Sequence, residues 1–402
     1  MTASFLHGVE VVNIDDGARS ITIPATSVIG IVGTAPRADA TVFPLNVPVL
    51  VPNSRTMAAA LLKNAAGTDG DGTLADALDS IFDQAGASVV VVRVDVGVDD
   101  AATLANVVGG ENATTGAREG AHALLDAEHA VGVKPRILIA PGFTHQRPEV
   151  AGVPGANPVV AELAGIADRM RAVIIQDGPS TNDADAIATA SDSGSKRVFL
   201  VDPRVAKTDS TGAVVYAYAS AAVAGLIARS DQERGFWWSP SNQTVNGIVG
   251  TERAIDFSMG DVNSRANLLN AANVATIIRQ NGFRLWGNRT LSADPKWAFL
   301  SVVRTSDVIA DALQSSMLWA VDRGITKNFV SDVVESVNAF LRNLKGLGAI
   351  NGGQCWADPD LNTAATVAAG QVYFDYDFGG VVPGERLTFR AHLVDNYVTE
   401  IF

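Results

Sequence analysis

Val28-Ile29-Gly30-Ile31-Val32-Gly33 is an unbroken apolar run, and its reading decides the fold of the first half of the chain. A strand with one wet face alternates apolar and polar residues, whereas a run with no polar member belongs to a strand covered on both faces. Val89-Val90-Val91-Val92 repeats the pattern, as do Arg136-Ile137-Leu138-Ile139-Ala140, Ala172-Val173-Ile174-Ile175 and Arg197-Val198-Phe199-Leu200-Val201. Helical stretches lie between them. Thr73 is placed to cap a helix with Leu74, Ala77, Leu78, Ile81 and Phe82 at three- and four-residue steps, and Gly86 to stop it. Residues 159–170 and 183–190 also read as helices. Continuous strands alternating with helices predict a parallel sheet covered on both faces, a doubly wound α/β domain.

After about residue 290 the rhythm changes. Ala298-Phe299-Leu300-Ser301-Val302-Val303 reads as a strand, and two long helices follow over 306–322 and 327–344. The second gathers Phe329, Val330, Val333, Val334, Val337, Phe340, Leu341 and Leu344 into one stripe. Residues 371–378 and 386–393 read as further strands, which predicts a separate C-terminal α+β domain. In the last strand Leu387, Phe389, Ala391 and Leu393 share one face, and Arg386, Thr388, Arg390 and His392 the other. Loop-like stretches fall at 109–120, 142–157 and 349–362.

Both ends read as strands. Val9, Val11, Val12 and Ile14 belong to an N-terminal strand turned by Asp15-Asp16-Gly17, after which comes Ile21-Thr22-Ile23. The tail closes on Tyr397, Val398, Ile401 and Phe402, where most chains fray into polar residues. A strand-prone apolar tail needs a sheet edge to join. Pattern alone leaves open whether that edge belongs to its own domain, which it slightly favours, or to another copy.

Charge and composition exclude several partners. Forty-three acidic against thirty basic residues leave a net charge of -13, which repels phosphate backbones and anionic lipid, so neither nucleic acid nor membrane is an expected partner. The single cysteine, Cys355, excludes an internal disulfide and a multi-thiolate metal site. The longest apolar runs are far too short to span a bilayer. Residues 1–8 lack the basic-then-apolar pattern of a secretory signal, so the expectation is synthesis and folding in cytoplasm.

An α/β core invites a search for chemistry, and each motif falls short. Gly30-Ile31-Val32-Gly33 lacks the third glycine of a dinucleotide fingerprint, and close packing of small residues accounts for it. Gly194-Ser195-Lys196-Arg197 lacks the first glycine and the hydroxyl of a phosphate loop. No two of the five histidines stand at the i, i+4 spacing of a helical zinc pair, and no G-x-S-x-G elbow is present. Asp69-Gly70-Asp71-Gly72-Thr73 begins like a calcium loop but lacks its closing Glu, and a turn feeding the Thr73 cap explains it better. No catalytic, metal or cofactor residue is assigned. An α/β hydrolase or cofactor enzyme is thereby the weaker alternative.

The middle of the chain resembles a known family. Phe236-Trp237-Trp238-Ser239-Pro240-Ser241-Asn242 with Gly247-Ile248-Val249-Gly250 is similar to the core signature of contractile-tail sheath proteins. So are Leu268-Leu269-Asn270-Ala271-Ala272-Asn273-Val274, Gly282-Phe283-Arg284-Leu285-Trp286-Gly287-Asn288-Arg289-Thr290 and Asp294-Pro295-Lys296-Trp297. His7-Gly8-Val9-Glu10-Val11, Gly132-Val133-Lys134-Pro135-Arg136 and Pro383-Gly384-Glu385-Arg386-Leu387 fit as well, so the resemblance covers nearly the whole chain, and its length matches the short sheaths of temperate phages.

The resemblance implies a subtilisin-like α/β core without proteolytic activity, a C-terminal domain nearest the tail tube, and no cofactor. It implies an N-terminal linking arm over 1–26, a core over 27–290, a C-terminal domain over 291–394 and a C-terminal linking arm over 395–402. Copies would form stacked six-membered rings around the tube and contract to drive it through a host envelope. The arm strands would be Val9, Val11, Val12 and Ile14 at one end and Tyr397, Val398, Ile401 and Phe402 at the other. Leu387, Phe389 and Leu393 would lie in the subunit's own acceptor sheet. Lys327, Arg342 and Lys345 are the candidate contacts to an acidic tube. Implied partners are further copies of the chain, the tube protein, the baseplate and the tail terminator, in a virion tail assembled in the host cytoplasm. The sheath of a contractile bacteriocin or secretion device shares these expectations.

Overall fold

The computed structural model describes residues 20–64, 70–150, 152–209 and 211–394. Its largest element is an eight-stranded sheet. In chain order its strands are β1 (Ile29–Thr34), β2 (Val49–Pro52), β3 (Ser88–Val94), β4 (Ile137–Ile139), β5 (Val173–Asp177) and β6 (Val198–Val201). A smaller antiparallel sheet interrupts the series with β7 (Val205–Thr208), β8 (Val214–Ala217) and β9 (Gly250–Thr251). The large sheet is then completed by β10 (Val274–Arg279) and β11 (Phe283–Trp286).

Across the large sheet the order is β11-β10-β6-β5-β4-β1-β3-β2. The six central strands pair in parallel, and β2 and β11 close the two edges antiparallel. The chain winds outward from β1 to β3 on one side, then returns to lay β4 on the other, as the doubly wound reading requires.

The absence of alternation in the strands has the cause the sequence suggested. Ile29, Ile31, Val89, Val91, Ile137, Ile139 and Ile175 face one buried cluster, with helices α1 (Leu74–Phe82) and α5 (Ala219–Arg234) packed upon it. Val32, Val90, Val92, Leu138, Ile174, Val198 and Leu200 face the other. That side is covered by α2 (Asp100–Val108), α3 (Pro158–Met170), α4 (Asp183–Ser191) and α6 (Arg265–Ala271). Burying a Val, Leu or Ile side chain contributes about 1.5–3 kcal/mol, so every position on both faces repays an apolar residue.

The C-terminal unit has two long helices, α7 (Leu300–Ser316) and α8 (Lys327–Gly346), and a two-stranded sheet of β12 (Ile350–Ala357) and β13 (Phe374–Gly380). Val337, Phe340, Leu341 and Leu344 of α8 meet Val308, Ile309 and Ala312 of α7 and Ile350 and Cys355 of β12 in a third cluster.

Several expectations are corrected here. Residues 298–303 are not a strand: α7 begins at Leu300, because Leu300, Val303 and Arg304 recur at helical steps and are buried together. Within 349–362 only Ala349 and 358–362 lack a helix or strand: Ile350 and Cys355 drive β12 into the third cluster despite Gly352 and Gly353. Ile21-Thr22-Ile23 forms no strand, although Ile21 is buried in that cluster. Thr73 occupies the N-cap of α1, but its hydroxyl accepts from the Thr34 backbone N–H at 3.3 Å and caps no helical N–H. Residues 386–393 have no regular secondary structure and pair with no strand among the described residues. Residues 9–14 and 395–402 lie outside the described residues.

Candidate functional site: an incomplete sheet and an exposed terminal segment

In doubly wound folds a ligand crevice opens at the carboxyl ends of the strands. Here that edge is filled by side chains that bond to one another. Asp177, ending β5, accepts from the Ser220 backbone N–H at 2.8 Å, the Ser220 hydroxyl at 2.6 Å and the Thr144 hydroxyl at 3.3 Å. Burial pushes its carboxyl up to about 6, against the opposing pull of these donors. Glu252 accepts from Arg204 Nε at 2.7 Å, Arg204 Nη2 at 2.6 Å and the Ser180 hydroxyl at 2.5 Å. Asp202 accepts from the Ser180 backbone N–H at 2.7 Å and from Arg253. Ser220 donates to a carboxylate rather than to an imidazole, so no activated nucleophile is assembled there. Among the described residues no group of three or more His, Cys, Asp or Glu converges to hold a metal.

The opposite, amino-terminal edge of the sheet is a joint. Arg136, Arg171 and Arg197 stand at or just before the first residues of β4, β5 and β6, which are neighbours in the sheet. All three reach one face of α7. Asp311 receives Arg136 at 2.5 Å and Arg171 at 2.8 Å, and Arg197 pairs with Asp307 and, at 2.8 Å, with Asp168. Asp307 and Asp311 are four residues apart, hence on one helical face. The arginine before each strand was a signal visible in the sequence; its partners were not.

The unfinished part of the molecule lies beyond this joint. A two-stranded sheet is marginal on its own and gains stability from further strands or a covering helix. The β12–β13 pair has α8 on one face and no third strand among the described residues. The chain then leaves β13 as a segment without regular secondary structure, in which Leu387 is 78%, Phe389 92% and Leu393 100% exposed. Among the described residues nothing covers these three side chains and 386–393 joins no strand, so no acceptor sheet containing them is seen there. The segment is tied back by Glu385, which accepts from Arg289 Nε at 2.8 Å and Nη2 at 2.6 Å.

The remaining sequence candidates separate into two groups. Lys327, Arg342 and Lys345 are exposed along α8, with Arg342 paired to Glu335 at 2.6 Å. Val9, Val11, Val12, Ile14, Tyr397, Val398, Ile401 and Phe402 lie outside the described residues. Sequence reasoning passed over Arg289 and Glu385 as a pair, because ninety-six positions separate them.

Comparison with known proteins places this architecture. The family model for the phage tail sheath protein central domain matches residues 116–291, that for the phage tail sheath C-terminal domain matches 292–393, and that for the N-terminal region of tail sheath protein Gp18 domain III matches 26–94. A putative prophage major tail sheath protein of Pseudomonas aeruginosa is 46% identical over 99% of both chains. The tail sheath protein of Escherichia phage P2 is 36% identical over 99% of this chain and 98% of its own. The fold is shared with the helical sheath of the anti-feeding prophage in its contracted state, at a TM-score of 0.70 and 18% identity, covering 97% of this chain and 99% of that one. With relatives matched along essentially their whole length, the chain belongs to the phage tail sheath protein family, as a structural subunit of a contractile tail sheath and not an enzyme.

Proposed function

We propose that copies of this chain polymerise as stacked six-membered rings around a tail tube, linked by exchanged terminal strands, and contract to drive the tube through a host envelope. The observation that carries the reading is the pairing of an incomplete sheet with an exposed apolar extension in one chain. Covering Leu387, Phe389 and Leu393 in a neighbour would return about 1.5–3 kcal/mol each, and each added backbone hydrogen bond about 0.5–1.5 kcal/mol. Repeated through a lattice, such contacts hold by avidity while the bodies turn. In this reading the β12–β13 sheet receives strands from neighbours, and the segment after Glu385 is exported together with 395–402.

The absence of an assembled nucleotide site among the described residues fits a machine whose work is stored in assembly, as a difference between two packings of the same subunits. Lys327, Arg342 and Lys345 on α8 are the proposed contacts to an acidic tube, with the baseplate and tail terminator at the two ends of the sheath. The setting is a virion tail assembled in the host cytoplasm. Relatives named as phage and prophage tail sheath proteins fit that setting, and solved sheaths of contractile injection devices share the fold.

The test is removal of residues 395–402. The shortened chain is expected to remain folded and soluble and to form no ribbed tubes in negative-stain micrographs. Normal tubes from it would overturn strand exchange by this segment.

A further inference from the structure

Both ends of the described chain leave the body along one helix. At the amino end, the Thr22 backbone N–H donates to the hydroxyl of Ser316, the last residue of α7, at 3.3 Å. Ile21 is buried beside Val308, Ile309 and Phe340. Four residues after Thr22, the Thr26 carbonyl accepts from Arg304 Nη2 at 3.1 Å, near the start of α7. Residues 20–26 therefore run antiparallel to α7 and emerge at its carboxyl end.

The other end emerges at the opposite pole. Arg289 is bridged through its backbone to Phe299, the N-cap residue of α7, and its guanidinium lies 5.4 Å from the centre of the Phe299 ring. From that position it holds Glu385 through two hydrogen bonds. Among the described residues this pair is the hydrogen-bonded tie between 381–394 and the body. Seventeen residues of α7 separate the two exits by about 25 Å at 1.5 Å per residue.

Stability does not explain the pair. Its side chains are 42% and 33% exposed, and ion pairs at such positions contribute about 0–1 kcal/mol. Geometry does explain it, because a bidentate fork fixes direction as well as distance. We propose that Arg289–Glu385 is the pin that aims the C-terminal segment, and that α7 is the rigid spacer holding the departure points of the two linking segments apart while subunits reorient. The three arginines at the sheet edge keep the spacer from turning. This inference rests on the reading that the terminal segments link copies.

The test compares the full chain with Arg289→Glu, Glu385→Arg, the double exchange, and the chain lacking 395–402, using sedimentation and negative stain for polymer and thermal melting for the fold. Each single reversal is expected to keep the parent midpoint and lower the polymer fraction about tenfold. The double exchange is expected to restore it. Should a reversal lower the midpoint, Glu385→Gln keeps the shape, removes the charge and carries the same expectation. Parent-like polymer from the single variants overturns the pin, and so does a double exchange that stays at the level of the singles. Parent-like polymer from the shortened chain instead overturns the linking reading itself, so the two failures are told apart.

Discussion

Arg304 of α7 and Asp231 of α5 face each other through two hydrogen bonds of 2.6 and 2.5 Å, with side chains only 6% and 2% exposed. The Thr26 hydroxyl completes the Asp231 carboxylate at 2.7 Å. One buried pair thus joins the α/β core, the C-terminal unit and the N-terminal segment. Removing one partner leaves the other charge buried and alone, which costs about 3–5 kcal/mol. Asp231→Ala is expected to lower stability by that amount in urea unfolding. An unchanged midpoint would show that the three parts are held together by other contacts.

The clamp at the amino edge of the sheet predicts a local effect. Asp311→Ala removes the only carboxylate that pairs with Arg136 and Arg171 among the described residues, leaving them the Met170 carbonyl and Gln314, so α7 is expected to open more readily than the strands beneath it. Hydrogen exchange should show lost protection over 300–316 and unchanged protection in β1 and β3. A uniform loss across the molecule would contradict the clamp.

Asp177 gives a pH dependence with a defined sign. Its carboxyl rises from 3.8 to about 6 in the fold, so between those values the unfolded chain binds fewer protons than the native one. The contribution of Asp177 is fully present below 3.8 and is lost as pH rises through 6. Asn at this position keeps an acceptor for the Ser220 N–H and removes the titration. The stability of the parent relative to Asp177→Asn should therefore fall between pH 4 and 7 by up to about 3 kcal/mol, at 1.36 kcal/mol per unit. A constant difference across that range would refute the assignment.

Gly225 sets the approach of α5 to α1. A Cβ there would stand 2.7 Å from the Ile81 carbonyl oxygen and 3.0 Å from the Gln84 side chain. Alanine gains about 1 kcal/mol in helix propensity, whereas overpacking costs about 1–3 kcal/mol. The backbone oxygen cannot swing aside like a side-chain tip, so the cost wins. Gly225→Ala should lower the thermal midpoint; a raised midpoint would mean that the helices part without penalty.

Of the three proposed tube contacts, Arg342 is already paired with Glu335, whereas among the described residues no ion pair is found for Lys345. Lys345→Glu is therefore expected to weaken cosedimentation with purified tubes more than Arg342→Glu does, and the effect should shrink as salt rises. Equal binding by all variants would remove α8 from the tube interface.

The buried strands were legible because burial on both faces writes itself into the residues. Runs such as 28–33 and 89–92 have no polar member, and the stripe of α8 repeats at helical steps. The short run 298–303 was ambiguous, since five or six apolar residues serve a strand or a helix equally, and only packing against two buried clusters made it α7. Likewise, glycine-rich β12 carries little strand preference and owes its form to the α8 surface.

The sequence by itself determined the parallel core, the amphipathic helices and the apolar character of the ends, because each depends on the chemistry of near neighbours along the chain. Only the tertiary structure decided which charges meet. Arg136, Arg171 and Arg197 converge on α7 because their strands lie side by side, and Arg289 reaches Glu385 because α7 brings the two loops together. It also decided that Leu387, Phe389 and Leu393 stand bare, since the alternation that marks a half-buried strand does not state whose surface buries it.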